Sequence, residues 1–231
     1  MLEASRRVAG LERPLWICAL RQTAARGRRG RTWVMPEGNF AATLVMPVQG
    51  GPGRAALRSF VAALALYDAV ADLTGRPAAL SLKWPNDVLL NGGKLAGILL
   101  ETLPRFGWLA IGIGVNLAEA PGADEVEAGA VAPVSLKGET GLRVSPQDFL
   151  DVLAGAFSRW ENRLQTEGFT PIRQAFLARA ARLGKDITAR LPHETVTGRF
   201  ETMDDTGQLV LKTAQGIRLI PAADIYFEAT G

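Results

Sequence analysis

The order of hydrophobic and polar positions predicts a mixture of strands and helices, followed by strands alone towards the end of the chain. Continuous apolar runs predict buried strands at Leu15–Leu20 and Trp108–Asn116. Apolar residues at three- and four-residue steps predict a helix over Arg54–Thr74, and Gly75 follows where a left-handed C-terminal cap belongs. The same reasoning predicts strands at 39–46, 80–83 and 88–90, and helices at 2–12, after Ser145, and from Thr170 to Gly184.

A hairpin is predicted where Asn91-Gly92-Gly93 separates two apolar runs, because Asn and Gly both tolerate positive φ. A three-residue loop would place Asp87 opposite Gly97, and a two-residue loop would shift the pairing by one position.

The hydrophobic period changes near residue 183. From there on, short strands separated by turns at 204–207 and 214–216 predict a small barrel of about 45 residues. We therefore expect two domains, residues 1–183 and residues 184–231.

Composition narrows the class of protein. The 231 residues are 48% hydrophobic and 21% charged, with a net charge of +3, which is typical of a folded globular protein. A single cysteine, Cys18, excludes a disulfide framework and a multi-thiolate metal cluster, and a single histidine, His193, excludes most histidine metal sites. The chain shows neither a signal peptide nor an apolar run long enough to span a bilayer, so we expect a cytoplasmic protein that does not enter a membrane.

A segment rich in arginine and glycine, residues 21–33, follows the first buried strand. It holds five arginines and two glycines. Glycine lets the backbone approach a ligand, and guanidinium groups can bind carboxylate or phosphate oxygens in a bidentate manner. A solvated basic loop or a nucleic-acid patch explains this segment alone equally well.

A second charged segment, Lys83-Trp84-Pro85-Asn86-Asp87, leads into the hairpin that carries Lys94 and Gly97. Either hairpin register brings one carboxylate and two lysines together where Gly97 removes steric bulk. Charges between apolar strands are costly unless they are paired or used, so this cluster is a candidate site. A salt-bridged surface hairpin is the alternative.

The segment Ile111-Gly112-Ile113-Gly114-Val115-Asn116 resembles half of a dinucleotide-binding fingerprint. It lacks the third glycine and a following helix, which disfavours a Rossmann fold.

Taken in order, the segments RQTAARGRRGRTW, GNFAATLVM, KWPNDVLLNGGKLAGILLE and IGIGVNL strongly resemble the biotin protein ligases. The resemblance covers most of residues 20–117, and the terminal barrel is similar to the C-terminal domain of that family. It implies an α+β fold, with a mixed β-sheet flanked by helices and a small SH3-like barrel. It also implies a two-step reaction in which biotin and MgATP form biotinyl-5'-AMP, and biotin is then transferred to a lysine of a biotin carboxyl carrier protein.

The resemblance also implies roles for individual residues. By position, biotin or its adenylate would contact Gln22, Arg26, Gly27, Arg28 and Lys94. The adenine or adenylate would lie near Trp33 and Asn116, and Gly97 would clear space for substrate. The phosphate, the metal or the second step would be supported by Lys83 and Asp87. The expected catalytic residues are Lys94 and Arg28, which stabilise charge, and Asp87, which orients or deprotonates the acceptor amine. No set of metal-ligating side chains is expected, and a homodimer is left open.

Two departures from the family pattern concern the biotin pocket. The family usually has a Ser-Thr pair just before the first helix, whereas this sequence begins with Met1-Leu2-Glu3-Ala4-Ser5. Ala25 stands where the family commonly has glycine, which should stiffen the loop modestly. No helix-turn-helix segment precedes the first helix, so a repressor function is not expected.

Three alternative functions remain at this point. A lipoate–protein ligase shares the fold and reaction type, a catalytically impaired relative would bind biotin without activating it, and a nucleic-acid-binding module would use the arginine-rich segment. The last alternative leaves Lys94 and Asp87 without a purpose.

Overall fold

The computed structural model describes residues 1–22, 25–30, 33–122, 125–127 and 129–227. The α-helices are α1 (Leu2–Arg7), α2 (Gly51–Ala56), α3 (Arg58–Thr74), α4 (Leu136–Thr140), α5 (Pro146–Glu167) and α6 (Phe169–Leu177), and short 3₁₀ helices span Val8–Gly10, Arg28–Gly30 and Pro77–Ala79. The strands are β1 (Leu15–Cys18), β2 (Phe40–Pro47), β3 (Leu80–Lys83), β4 (Asp87–Leu90), β5 (Gly93–Thr102), β6 (Trp108–Val115), β7 (Asp186–Arg190), β8 (Thr195–Met203), β9 (Leu209–Thr213), β10 (Gly216–Ile220) and β11 (Asp224–Tyr226).

The first six strands form one sheet in the order β1-β2-β6-β5-β4-β3, and their pairings are antiparallel. Parallel pairing within the described residues is limited to two isolated bridges, Leu82 with Ala180 and Lys94 with Pro133. The expected α+β class, a sheet flanked by helices, is confirmed, and its mixed character lies in these two bridges.

The two long helices α3 and α5 pack against each other and build the core with the sheet. Gly75 ends α3 with a φ of 65°, as its sequence position predicts. Ser145 caps α5 by accepting a hydrogen bond from the backbone N–H of Asp148. The helix predicted over Arg54–Thr74 is interrupted at Leu57, where α2 ends and α3 begins.

The helix predicted to reach Gly184 ends earlier, at Leu177. The chain that follows pairs with β3: Leu82 donates to the carbonyl of Arg179 and accepts from the N–H of Ala181, both at 2.8 Å. The open edge of β3 therefore takes up residues that helical periodicity assigned to α6.

The C-terminal strands form a second, antiparallel sheet in the order β10-β9-β8-β7-β11. Along β8, buried Val196, Gly198 and Phe200 alternate with exposed residues, as one buried face requires. The five strands were expected from the sequence, and His193 is exposed, as predicted. This sheet docks on the first part of the chain through its β8–β9 turn, since the Trp84 indole N–H donates to the carbonyl of Gly207 at 3.0 Å.

None of the helices within the described ranges combines the length and the apolar composition that crossing a membrane would require.

Candidate active site

The floor of the site is a row of small residues across three strands. Ala41 of β2 pairs with Gly114 of β6, which in turn pairs with Gly97 of β5. The Trp33 indole lies on this row: a Cβ added to Gly114 would be 2.7 Å from it, and one added to Gly97 would be 3.2 Å away. The glycines therefore make room for an aromatic ring. In β6, Gly112 and Gly114 alternate with isoleucines that face the core. The repeated glycines therefore keep one face of the strand free of side chains and do not form a nucleotide-binding fingerprint.

A β-bulge decides which side chains of β5 face this floor. The hairpin turn is two residues long, with Leu90 opposite Gly93, and Leu89 faces Lys94. The register then shifts by one residue at Leu95, so Asp87 nevertheless lies opposite Gly97. An extra residue reverses the alternation of faces, and Lys94 and Gly97 consequently both line the cavity, although they are three positions apart.

One buried carboxylate lies between two lysines at the edge of the floor. The Lys94 Nζ is 2.9 Å from Asp87 Oδ1, and the Lys83 Nζ is 3.4 Å from Asp87 Oδ2. Burial alone would raise the pKa of Asp87, but the charges of Lys94 and Lys83 outweigh it and hold that pKa below its usual value. Burial lowers the pKa of Lys83, and the attraction of Asp87 opposes this shift.

Arg28 ties the arginine-rich segment to two other parts of the chain. Its Nη1 donates to Asn86 Oδ1 at 3.3 Å and to the carbonyl of Ala223 at 3.2 Å. Arg26 lies nearer the surface, 3.4 Å from Glu101 of β5. Of this segment, Thr23, Ala24, Arg31 and Thr32 lie outside the described residues.

Asn116, at the end of β6, carries an unused acceptor. The residue is 2% exposed, and its Nδ2 donates to the carbonyl of Val134 at 3.0 Å. Its Oδ1 is buried without a hydrogen-bond partner among the described residues. Buried acceptors of this kind are costly, so Asn116 is suited to accept a hydrogen bond from a ligand.

The far wall of the site comes from two segments that follow Asn116 in the chain. Residues 117–135 (here called the cavity loop) run from β6 to α4, and Val126, Glu127 and Val131 are among the residues that they contribute to the wall. Strand β11 and the residue before it contribute 223–226. The sequence gives no sign of this contribution, because a short apolar strand such as DIYFE looks the same wherever it packs.

These parts enclose one cavity of about 720 Å³. Every candidate residue from the sequence lines it, namely Gln22, Arg26, Gly27, Arg28, Trp33, Lys83, Asp87, Lys94, Gly97 and Asn116. Sequence reasoning missed the lining residues of 223–226 and the contact of Asn86 with Arg28. Met1 also lines the cavity, and its methyl group packs over Gly112.

The chemistry of the cavity suits a ligand that is partly apolar and partly anionic. Its floor is apolar and glycine-rich, whereas one side presents Arg28, Lys83 and Lys94 in a partly buried setting. Cations fixed where water is excluded stabilise negative charge far better than they would in bulk solvent.

Two family models match the chain. The biotin/lipoate A/B protein ligase family matches residues 1–117, and the biotin protein ligase C-terminal domain matches residues 183–228.

Curated relatives agree with these matches. A biotin–[acetyl-CoA-carboxylase] ligase of Paracoccus denitrificans is 57% identical over 228 residues, which cover 97% of this chain and 95% of the relative. The bifunctional ligase/repressor BirA of Bacillus subtilis is 33% identical over 217 residues, covering 90% of this chain and 65% of the relative.

Solved structures share the fold. The biotin protein ligase of Aquifex aeolicus in complex with biotin and ATP superposes with a TM-score of 0.83 at 24% identity, over 96% of this chain and 93% of that one. The biotin protein ligase of Leishmania major in complex with biotin gives a TM-score of 0.67 at 25% identity, over 96% and 93%. With a family model over its first half and a relative 57% identical over nearly its full length, the chain belongs to the biotin/lipoate A/B protein ligase family, as a biotin protein ligase.

Proposed function

We propose that this protein joins biotin to ATP, forming biotinyl-5'-AMP and pyrophosphate, and then transfers the biotinyl group to a lysine of a biotin carboxyl carrier protein. The observation that supports this most directly is the convergence of Arg28, Lys83 and Lys94 on one cavity with an apolar, glycine-lined floor. Biotin offers an apolar bicyclic body and a carboxylate, and ATP offers the phosphate, so the pair matches both halves of the cavity.

In the first step, a carboxylate oxygen attacks the α-phosphorus of ATP, and the bond to pyrophosphate breaks. Two anions must approach each other, so the barrier is largely electrostatic and fixed cations lower it. We assign Lys94 as the main stabiliser of the developing charge and Arg28 to the phosphate side. Mg²⁺ enters with ATP as part of the nucleotide substrate, held by phosphate oxygens.

Trp33 and Asn116 are assigned to the nucleotide end of the ligand. Trp33 offers an indole face beside the Lys94 ammonium, which lies 5.7 Å from the ring centroid. The orphaned Oδ1 of Asn116 would accept a hydrogen bond from the adenine amino group.

In the second step, the neutral amine of the acceptor lysine attacks the acyl carbon, the acyl–oxygen bond to phosphorus breaks, AMP leaves, and the amine proton passes to solvent. Asp87 faces the cavity but has a pKa that its two lysines hold low, which makes it a weak base. We therefore assign Asp87 to orienting the acceptor amine and not to removing its proton.

The decisive assay is ATP–pyrophosphate exchange that depends on biotin. Exchange above the level without biotin supports the proposal, and its absence in a folded protein that still binds biotin favours the catalytically impaired relative. A parallel assay with lipoate and an apo carrier domain separates biotin from lipoate transfer; the relatives named above favour biotin. Polyanion binding without exchange would favour the nucleic-acid alternative.

Further proposals concern the setting of the reaction. We place it in the cytoplasm, and a homodimer is tested by sedimentation at several protein concentrations.

We also propose a domain boundary near residue 183, with closure of the C-terminal sheet into an SH3-like barrel. The family model that matches residues 183–228 supports the boundary.

A further inference from the structure

The cavity loop, residues 117–135, is anchored firmly at both ends. At its start, the buried Asn39 side chain accepts hydrogen bonds from the N–H groups of Ala118 and Glu119 and donates to the carbonyl of Glu119 at 2.7 Å. At its end, the backbone N–H of Lys94 donates to the carbonyl of Ala132, and the backbone carbonyl of Lys94 accepts from the N–H of Val134.

Among the described residues, Glu127 of the loop meets Tyr226 and Arg190 of the C-terminal sheet, and we call these three side chains the latch. The hydroxyl of Tyr226 donates to Glu127 Oε1 at 3.0 Å. Arg190 Nη1 is 3.5 Å from the same carboxylate oxygen and donates to the Tyr226 hydroxyl at 3.3 Å. The Arg190 guanidinium also stacks on Tyr226, 4.2 Å from its ring centroid.

The latch lies at the rim of the site, because Glu127 and Tyr226 both line the cavity. The backbone of the loop packs on the same ring, since a Cβ added to Gly129 would lie 3.7 Å from Tyr226. Arg190 and Tyr226 sit on neighbouring strands, β7 and β11, and form a fixed platform within the second sheet.

We propose that Tyr226 and Arg190 are positioning residues of the C-terminal sheet that hold the cavity loop closed through Glu127, and thereby keep water from the reaction intermediate. This inference rests on the proposed function. The intermediate is a mixed anhydride, and in the leak reaction water attacks the acyl carbon, the acyl–oxygen bond to phosphorus breaks, and biotin and AMP are released. Closing a site against water is a known way to suppress such hydrolysis.

The test uses Tyr226→Phe, which removes only the hydroxyl, and Glu127→Gln, which removes the charge. The matched control is Glu194→Gln, because Glu194 forms a 2.7 Å pair with Arg218 on the same sheet with similar exposure, and neither residue lines the cavity. Without carrier protein, AMP released after the first turnover measures the leak, and the first burst of pyrophosphate measures adenylate formation.

We expect both latch variants to raise the leak, expressed as AMP released per pyrophosphate of the burst, and the factor for Tyr226→Phe should be about five, as one lost hydrogen bond gives. The double variant should leak little more than Tyr226→Phe alone, because both substitutions act on the same contact between Glu127 and Tyr226. A leak equal to that of Glu194→Gln would overturn the proposal.

A second measurement keeps the latch testable without any activity. The cavity loop contains Glu119, Glu125 and Glu127, so a protease that cuts after glutamate reports its opening. Tyr226→Phe keeps all these sites, and we expect about fivefold faster cutting in the loop than in Glu194→Gln. Faster cutting without a pyrophosphate burst in the unaltered protein would refute the proposed function and leave the latch standing, whereas equal cutting rates would refute the latch.

Discussion

Lys94 and Asp87 form a 2.9 Å ion pair although they are not directly opposite each other on their two neighbouring strands. Lys94 pairs with Leu89, and Asp87 pairs with Gly97. The bulge at Leu95 makes this geometry possible. It keeps Leu95 in the core while turning both Lys94 and Gly97 towards the cavity. This single β-bulge thus places the Lys94 ammonium directly beside the glycine-lined floor of the cavity.

Replacing Lys94 by alanine should abolish adenylate formation while the fold is preserved. Asp87 keeps Lys83 as a charge partner when Lys94 is removed, so the fold should survive, but the charge that the attacking carboxylate and the phosphate need is lost. Loss of one preorganised stabilising group lowers turnover by about 10²- to 10³-fold. Single-turnover pyrophosphate release measures the effect, and circular dichroism checks the fold. Release at a near-normal rate would show that Lys94 is not the main stabiliser.

The pair should also make stability depend on acid. The folded pKa of Asp87 lies below its ordinary value of 3.8, so the folded state binds this proton less readily than the unfolded state. The stability contributed by the carboxylate is therefore complete above pH 3.8 and is lost as pH falls through the lower folded pKa. We expect the difference in free energy of unfolding between the unaltered protein and Asp87→Asn, measured with urea, to shrink as the pH is lowered from 3.8. A difference that stays constant or grows would contradict the assignment.

The row of small residues predicts a graded series of alanine variants. Gly114→Ala places a Cβ 2.7 Å from the Trp33 indole, and Gly97→Ala places one at 3.2 Å. Overpacking of this kind costs about 1 to 3 kcal/mol. Because these contacts displace the Trp33 ring, we expect calorimetric titration to show affinity for biotinyl-5'-AMP reduced about tenfold by Gly114→Ala and less by Gly97→Ala.

The matched control for this series is Gly53→Ala. Gly53 lies in α2 with open space around its Cβ position, so alanine there should leave the affinity unchanged. Equal affinities of Gly114→Ala, Gly97→Ala and Gly53→Ala for biotinyl-5'-AMP would mean that the ligand does not bind against the glycine-lined floor and its Trp33 ring.

Much of the site could be predicted because it depends on side-chain types in a fixed order. Arg28, Lys83 and Lys94 lie in segments whose charge contradicts the apolar strands around them, and the structure brings them to one cavity. The bulge at Leu95 could not be predicted, because a leucine beside alanine reads equally well in a regular strand. The prediction of a two- or three-residue turn was therefore incomplete: the turn has two residues, yet Asp87 faces Gly97.

The contribution of the C-terminal sheet could not be predicted either, and the reason is distance along the chain. Arg28 contacts the carbonyl of Ala223 across 195 positions, and a carbonyl leaves no mark in the sequence. The Trp84 bond to Gly207 has the same character, since every residue offers such an acceptor. Contacts that use the backbone are fixed by packing and not by residue type.

A final prediction concerns the ion pair that joins the two long helices. The Arg58 guanidinium of α3 lies 2.7 Å from Glu161 of α5, with the two side chains only 6% and 9% exposed. Removing one member leaves an uncompensated buried charge, which costs about 3 to 5 kcal/mol, whereas replacing both by apolar residues of similar volume is often nearly neutral. We therefore expect Arg58→Met to lower the free energy of unfolding by that amount.

The double variant, Arg58→Met with Glu161→Met, should recover most of the loss. Urea unfolding of the unaltered protein, both single variants and the double variant closes the cycle and isolates the coupling between the two residues. Because Arg58 and Glu161 lie outside the cavity lining, adenylate formation by the double variant should stay near normal wherever it remains folded. Purely additive losses would mean that the helices are held by their apolar contacts and that the ion pair contributes little beyond them.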